Sequence, residues 1–408
     1  MQLAYYVDKG LTRPELELER RGASSLDGTS SGPPMSPHRK GLRAAAMVVA
    51  ALLLLSAFVA AAPYLSKALK NGYSYVSGLG GEGTGGANGA PSSGFITSTN
   101  CSSTISVGTV VSPDINGTSA AVTYPRDYCA LAQYALGLIN ADRKANGSAP
   151  VSLDYNQAAQ QHADSMLYYG YFSHYDVQGL KPYMRYSLLG GLGADSENVA
   201  YLAYSAPHYT STSSVEQAIQ FLEHSMVYDD AACCNNGHRY NILDPLHNFV
   251  SIGVAYNSTH VFFDEEFENV YISLSFTTTG NSSSNPYQVT MSGTPIAGTP
   301  KPNSIYIGFD SIPSPENRSQ LDNAPHEYGP GTLVGGVLPP TGFLGGCGQF
   351  ATGTTVCAEN WTFTQNSMNI TFSLEPFIKN YGPGVYTVYL ITESSTDSAL
   401  TTISVFVS

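Results

Sequence analysis

Phe172-Ser173-His174-Tyr175-Asp176-Val177-Gln178-Gly179, then Ser196-Glu197-Asn198-Val199-Ala200, then Gly237-His238-Arg239-Tyr240-Asn241-Ile242-Leu243 are the three runs that decide how this chain is read. Between the second and third lies a helix-patterned segment, 213–228, with Val215, Ile219, Leu222 and Met226 on one face. Outward from this stretch, 128–145 reads as a helix, with Leu131, Tyr134, Leu138 and Ile139 at helical spacing, and 156–169 as another. The runs 249–256 and 260–263 flank Asn257-Ser258, a hairpin signal, and 270–277 supplies a further strand. Helices packed on a small antiparallel sheet make a layered α/β domain over 124–280.

In this order and spacing the three runs resemble the signatures F-x-H-x-x-x-x-G, E-N-[IV]-A and G-H-R-x-N-I-L of the prokaryotic, SCP-like branch of the CAP superfamily (cysteine-rich secretory proteins, antigen 5, pathogenesis-related 1). The resemblance covers about 150 of 408 residues. It implies an α-β-α sandwich and a cavity lined by two histidines and two acids. Carried over by motif, His174 and His238 match the histidines and Glu197 the first acid. For the second acid, the motif alignment puts Ser225 at the position, and Glu223 stands two residues earlier. The two lie on opposite borders of the apolar helix face, so both are candidate cavity members. Neutral imidazoles and a carboxylate can hold Zn2+ or another divalent cation, which gives His174, His238 and Glu197 as expected metal ligands. Without metal, hydrogen bonds from the carboxylate would orient the rings. His162 reads as structural, His224 as a solvated outward residue, and Asp264-Glu265-Glu266 as a wet acidic turn.

Composition bounds the rest. Charged residues make up 12% of the 408, and the net charge is −13. Residues 1–70 carry 9 Lys/Arg and 5 Asp/Glu, against 9 and 26 beyond, so the body is acidic and unsuited to phosphate backbones. Residues 1–43 read as a disordered cytoplasmic tail. The uncharged run 44–62, broken by Ser56 and preceded by Arg39, Lys40 and Arg43, reads as a single transmembrane anchor with the body outside. Ala60-Ala61-Ala62 keeps a cleaved export signal, and hence secretion, as the alternative. Residues 63–123 form a linker with a Gly-rich tether at 78–94, whose G-x-G-x-x-G match leads into no helix pattern. All eight N-x-[ST] sequons follow the apolar run, which agrees with an exported, glycosylated body. The six cysteines also follow it and form no C-x-x-C pair, which favours disulfides. Proximity suggests Cys347–Cys357 and Cys101–Cys129, whereas adjacent Cys233 and Cys234 are poorly placed to bond each other.

Beyond residue 285 the helix signals end. Short strands at 304–308, 361–364, 368–374, 385–391 and 401–407, divided by Pro/Gly/Asn turns, predict an all-β sandwich-like domain over 285–408. Three function classes follow. The first is a membrane-anchored extracytoplasmic binding module that takes a divalent ion or a lipid, peptide or glycan through the His/Glu cavity. The second is a hydrolase of peptide or cell-envelope material, metal-dependent or using Ser173 or Ser225. The third is a surface-structural display module.

Overall fold

The computed structural model describes residues 2–8, 110–113, 119–122, 127–154, 156–280, 287–340, 347–348, 350, 353–392 and 398–408. The expected anchor at 44–62 lies outside them. Among the described residues no helix is long and apolar enough to cross a membrane.

The first three helices of any length form where periodicity places them. Helix α1 is Tyr128–Ala145, α2 is Ala158–Tyr169 and α4 is Thr212–Tyr228, with the short α3, Pro182–Leu188, between the last two. Ser211 caps α4 through a capping box with Ser214, which satisfies end N–H groups that would otherwise go unpaired. Two short helices follow, α5 (Ala231–Cys234) and α6 (Gly237–Leu243).

The central sheet contains β1 (Gln2–Asp8), β4 (Ser152–Asp154), β5 (Ala194–Ala203), β6 (Phe249–Tyr256), β7 (His260–Asn269) and β11 (Glu327–Tyr328). Their order is β11-β1-β5-β7-β6-β4. Helices α1 and α4 cover one face, where Leu131, Ile139, Ile219, Leu222, Val250 and Phe263 are buried together. Helix α2 covers the other, over Met166, Phe172, Val199 and Phe262. Burying each such side chain contributes about 1.5–3 kcal/mol. On this second face the helix backbone comes so close that a Cβ at Gly253 would stand 2.2 Å from the Ala159 carbonyl oxygen, so only glycine fits there.

Several expectations change. Residues 2–8 pair antiparallel with β5, Tyr5 opposite Ala200, instead of belonging to a tail without structure. Val110–Pro113 and Ser119–Val122 (β2 and β3) form a two-stranded sheet inside the expected linker. Ile272–Thr279 (β8) pairs with β9 (Gln288–Pro295) and so joins the C-terminal sandwich, which places the boundary one strand earlier. Asp264-Glu265-Glu266 lie inside β7 and are fully buried, because the hairpin at 257–259 turns sooner than an acidic turn would require.

The C-terminal half is a sandwich of two sheets. One joins β10 (Pro302–Asp310), β12 (Thr332–Leu338), β13 (Thr354–Cys357), β16 (Gly384–Thr392) and β17 (Ala399–Val407); the other joins β8, β9, β14 (Asn360–Phe363) and β15 (Met368–Ser373). Val289, Met291, Ile305, Ile370, Phe372 and Val388 fill the space between them. The two halves are bonded into one body. Lys181 Nζ meets Asp310 Oδ1 at 2.8 Å, and Asn269 Nδ2 donates to the Ala399 carbonyl at 2.9 Å. Asp195 N donates to Thr402 Oγ1 at 3.1 Å.

Candidate functional site

The loop after α2 carries the first histidine. Asp176 Oδ1 accepts from the N–H groups of Gln178 and Leu180, both at 2.9 Å, and closes a turn that Gly179 completes at φ +76°. This presents His174 to β5, where its Nδ1 lies 2.6 Å from Glu197 Oε1. The Arg185 guanidinium of α3 takes the other Glu197 oxygen and also donates to the carbonyls of His174, at 2.7 Å, and Leu180, at 2.9 Å. Tyr328 reaches in from the C-terminal half. Its Oη accepts from Glu197 N at 2.8 Å, and its ring stands edge-on to His174 at 4.8 Å.

Above the same face, His162 of α2 donates from Nε2 to the Ser173 carbonyl at 2.7 Å, which fixes its tautomer. Burial, aided by Arg185, holds this imidazole well below its ordinary pKa and therefore neutral. One donor atom each from His162, Glu197 and Asp264 lie within 4.8 Å of one another. The cross-strand pairs Glu197–Glu266 and Asp195–Glu268 add carboxyl groups to this face. Burial raises Glu197 to about 7 against the opposing pull of Arg185, and raises Glu266 to about 8. Asp195, Asp264 and Glu268 are also pushed well above their ordinary values by burial. These acids crowd faster than Arg185 can compensate, so the face holds protons at neutral pH.

The second histidine has its own acidic partner. Adjacent side chains of a strand point to opposite sides, so Glu197 serves one face of β5 and Asn198 the other. Asn198 Nδ2 donates to Glu265 Oε2 at 3.2 Å and to the His238 carbonyl at 3.5 Å. Asn241 Nδ2 donates to Asn198 Oδ1 at 3.0 Å, which ties the third run to the second. His238 Nδ1 lies 2.6 Å from Asp230 Oδ1. His174 is thus held against Glu197 and His238 against Asp230. Glu223 is buried close to the Glu265 carboxyl, and Ser225 is buried on the same helix. Ser173 Oγ accepts from Tyr175 N at 3.1 Å rather than meeting an imidazole. His224 is exposed against Tyr228, as the helix pattern implied.

The cysteine-rich secretory protein family, CAP, matches residues 136–274. The chain carries a CAP domain. The CAP match runs from within α1 to the start of β8 and includes His162, Glu197, Asp264 and His238. Among solved structures, an extracellular protein containing a SCP domain from Bacillus anthracis str. Ames is 20% identical, with 34% of this chain and 40% of that one covered, at a TM-score of 0.25. The CAP domain of Enterococcal PrgA is 15% identical, with 34% and 60% covered, also at 0.25. The aligned part therefore spans less than two thirds of either chain. No curated protein is matched by the sequence.

Outside the three runs, the CAP domain contributes His162, Arg185, Asp230, Asp264 and Glu266 to these centres, and β11 contributes Tyr328. The signal for the acids was in the sequence: Phe262-Phe263-Asp264-Glu265-Glu266-Phe267 has carboxylates bracketed by phenylalanines, which suits a buried strand better than a wet turn. Cys347 and Cys357 are bonded as expected, and so are Cys233 and Cys234, against expectation. Cys129 is disulfide-bonded, while Cys101, its expected partner, lies outside the described residues.

Proposed function

We propose that this is an exported CAP-domain protein that acts as a binding module and takes a divalent cation at His162, Glu197 and Asp264. The observation that carries the reading is the donor trio within 4.8 Å, in which both Asp264 oxygens and His162 Nδ1 are buried without a hydrogen-bond partner among the described residues. One imidazole and two carboxylates suit Zn2+. A cation would offset the carboxylate charge that burial otherwise removes by protonation. His174 and Arg185 would act on the ion only through Glu197, as positioning residues. The run 44–62, the sequons beyond it and the disulfides support export. Membrane anchoring by 44–62 belongs to this reading.

Binding is favoured over hydrolysis because His174, Glu197, Asp264 and Glu266 are all 0% exposed, which leaves a substrate carbonyl no approach. A lipid, peptide or glycan partner would then meet the chain at its surface. The test is thermal unfolding with and without excess Zn2+ at pH 7. Zinc should raise the melting temperature of the wild type, and His162→Ala or Asp264→Asn should abolish the rise. A rise of equal size in both variants would refute the assignment.

A further inference from the structure

Between α4 and α6 the chain runs Asp230-Ala231-Ala232-Cys233-Cys234-Asn235-Asn236-Gly237-His238. Asn235 and Asn236 are both left-handed, at φ 51° and 64°, a conformation that costs non-glycine residues free energy. These two residues fold the chain back, so that His238 Nδ1 reaches Asp230 Oδ1 at 2.6 Å. Cys233 Sγ lies 3.6 Å from that same Asp230 oxygen. One donor atom from each of Asp230, Cys233, Cys234 and His238 falls within 4.8 Å of the others. Asp230 and His238 are buried, whereas Cys233 is exposed and Cys234 partly so. The nitrogen and oxygen donors thus form a fixed floor, and the sulfurs form an accessible rim.

We propose that these four residues are a redox-gated site for a thiophilic divalent cation such as Zn2+ or Cd2+. The site is closed to metal while Cys233 and Cys234 are joined as a disulfide, and open when both are thiols. A disulfide supplies no thiolate, and thiolate is the form that ligates. Opening requires a reductant, here a small external dithiol. Its thiolate attacks one sulfur to form a mixed disulfide, and its second thiol then closes on the first. One S–S bond breaks and one forms, two electrons and two protons pass to the cysteines, and the dithiol leaves as a cyclic disulfide. The cation then displaces the two thiol protons to solvent and gains two sulfurs, an imidazole nitrogen and a carboxylate oxygen, a donor set that suits tetrahedral coordination. This centre lies apart from the His162–Glu197–Asp264 trio and contains sulfur, so its test is independent of that reading.

The experiment titrates Cd2+ into the full chain, oxidised and after dithiol reduction with the reductant removed, and follows the ultraviolet sulfur-to-cadmium charge-transfer band. The reduced protein should develop the band with one equivalent of Cd2+, and the oxidised protein should show none. Cys233→Ser with Cys234→Ser should abolish it; these side chains are on the surface, so the fold should survive. Cys347→Ser with Cys357→Ser should leave the band intact and so exclude that pair. Asp230→Asn should weaken Cd2+ binding at least about tenfold. A band that survives in the Cys233/Cys234 double variant overturns the proposal, as does no band in protein whose thiol count shows both cysteines reduced.

Discussion

Replacing Glu265 with Gln removes a carboxyl whose burial gives stability a definite pH dependence. Glu265 is fully buried on β7, accepts from Asn198 Nδ2 at 3.2 Å, and faces the Glu223 carboxyl of α4, with Asp142 of α1 nearby. Burial raises it from 4.5 to about 7, and raises Glu223 well above its ordinary value. The folded state therefore keeps this proton over a range in which the unfolded chain has released it. Stability falls with pH wherever the native state binds more protons. The contribution of Glu265 is accordingly present below about pH 4.5 and lost as pH rises through about 7. At ~1.36 kcal/mol per pH unit, the interval amounts to about 3 kcal/mol. Gln cannot ionise, and its amide oxygen can still accept from Asn198. Urea unfolding of wild type and Glu265→Gln at pH 5, 6, 7 and 8 measures the difference. Both proteins should lose stability across the range, because the other raised carboxyls act with the same sign, but the wild type should lose about 2–3 kcal/mol more. Parallel curves, or a wild type that gains stability toward pH 8, would refute the reasoning.

Arg185→Met leaves the Glu197 carboxylate buried without its cation, so stability should drop by about 3–5 kcal/mol at pH 8 and by less at pH 5, where Glu197 can take a proton; an equal loss at both pH values would count against the pairing. Gly253→Ala forces a methyl onto the Ala159 carbonyl and should cost about 1–3 kcal/mol in urea unfolding, with an unchanged midpoint as the contrary result. Cysteines placed at Tyr5 and Ala200 should crosslink, since the two positions are paired in the sheet; no crosslink would refute the pairing.

How much of this was legible beforehand follows from periodicity and geometry. Helical spacing in 128–145 and 213–228 located two helices within a residue at either end, and the hairpin at Asn257-Ser258 and most sandwich strands announced themselves by composition. Those signals are local: each depends on residues a few positions apart that bury a shared face. The motif order likewise identified the domain and the His174–Glu197 contact. What the chain alone left open was which partners each of these side chains meets. Glu197 and Asn198 are neighbours in sequence, yet the alternation of a strand sends them into different surroundings, one under α2 and the other under α4. Which surroundings His238 joins depends on the left-handed turn at Asn235 and Asn236 and on Asp230 beneath it. The protonated state of the β7 acids depends on tertiary structure too, because burial raises a carboxyl pKa only once distant helices have excluded water from it.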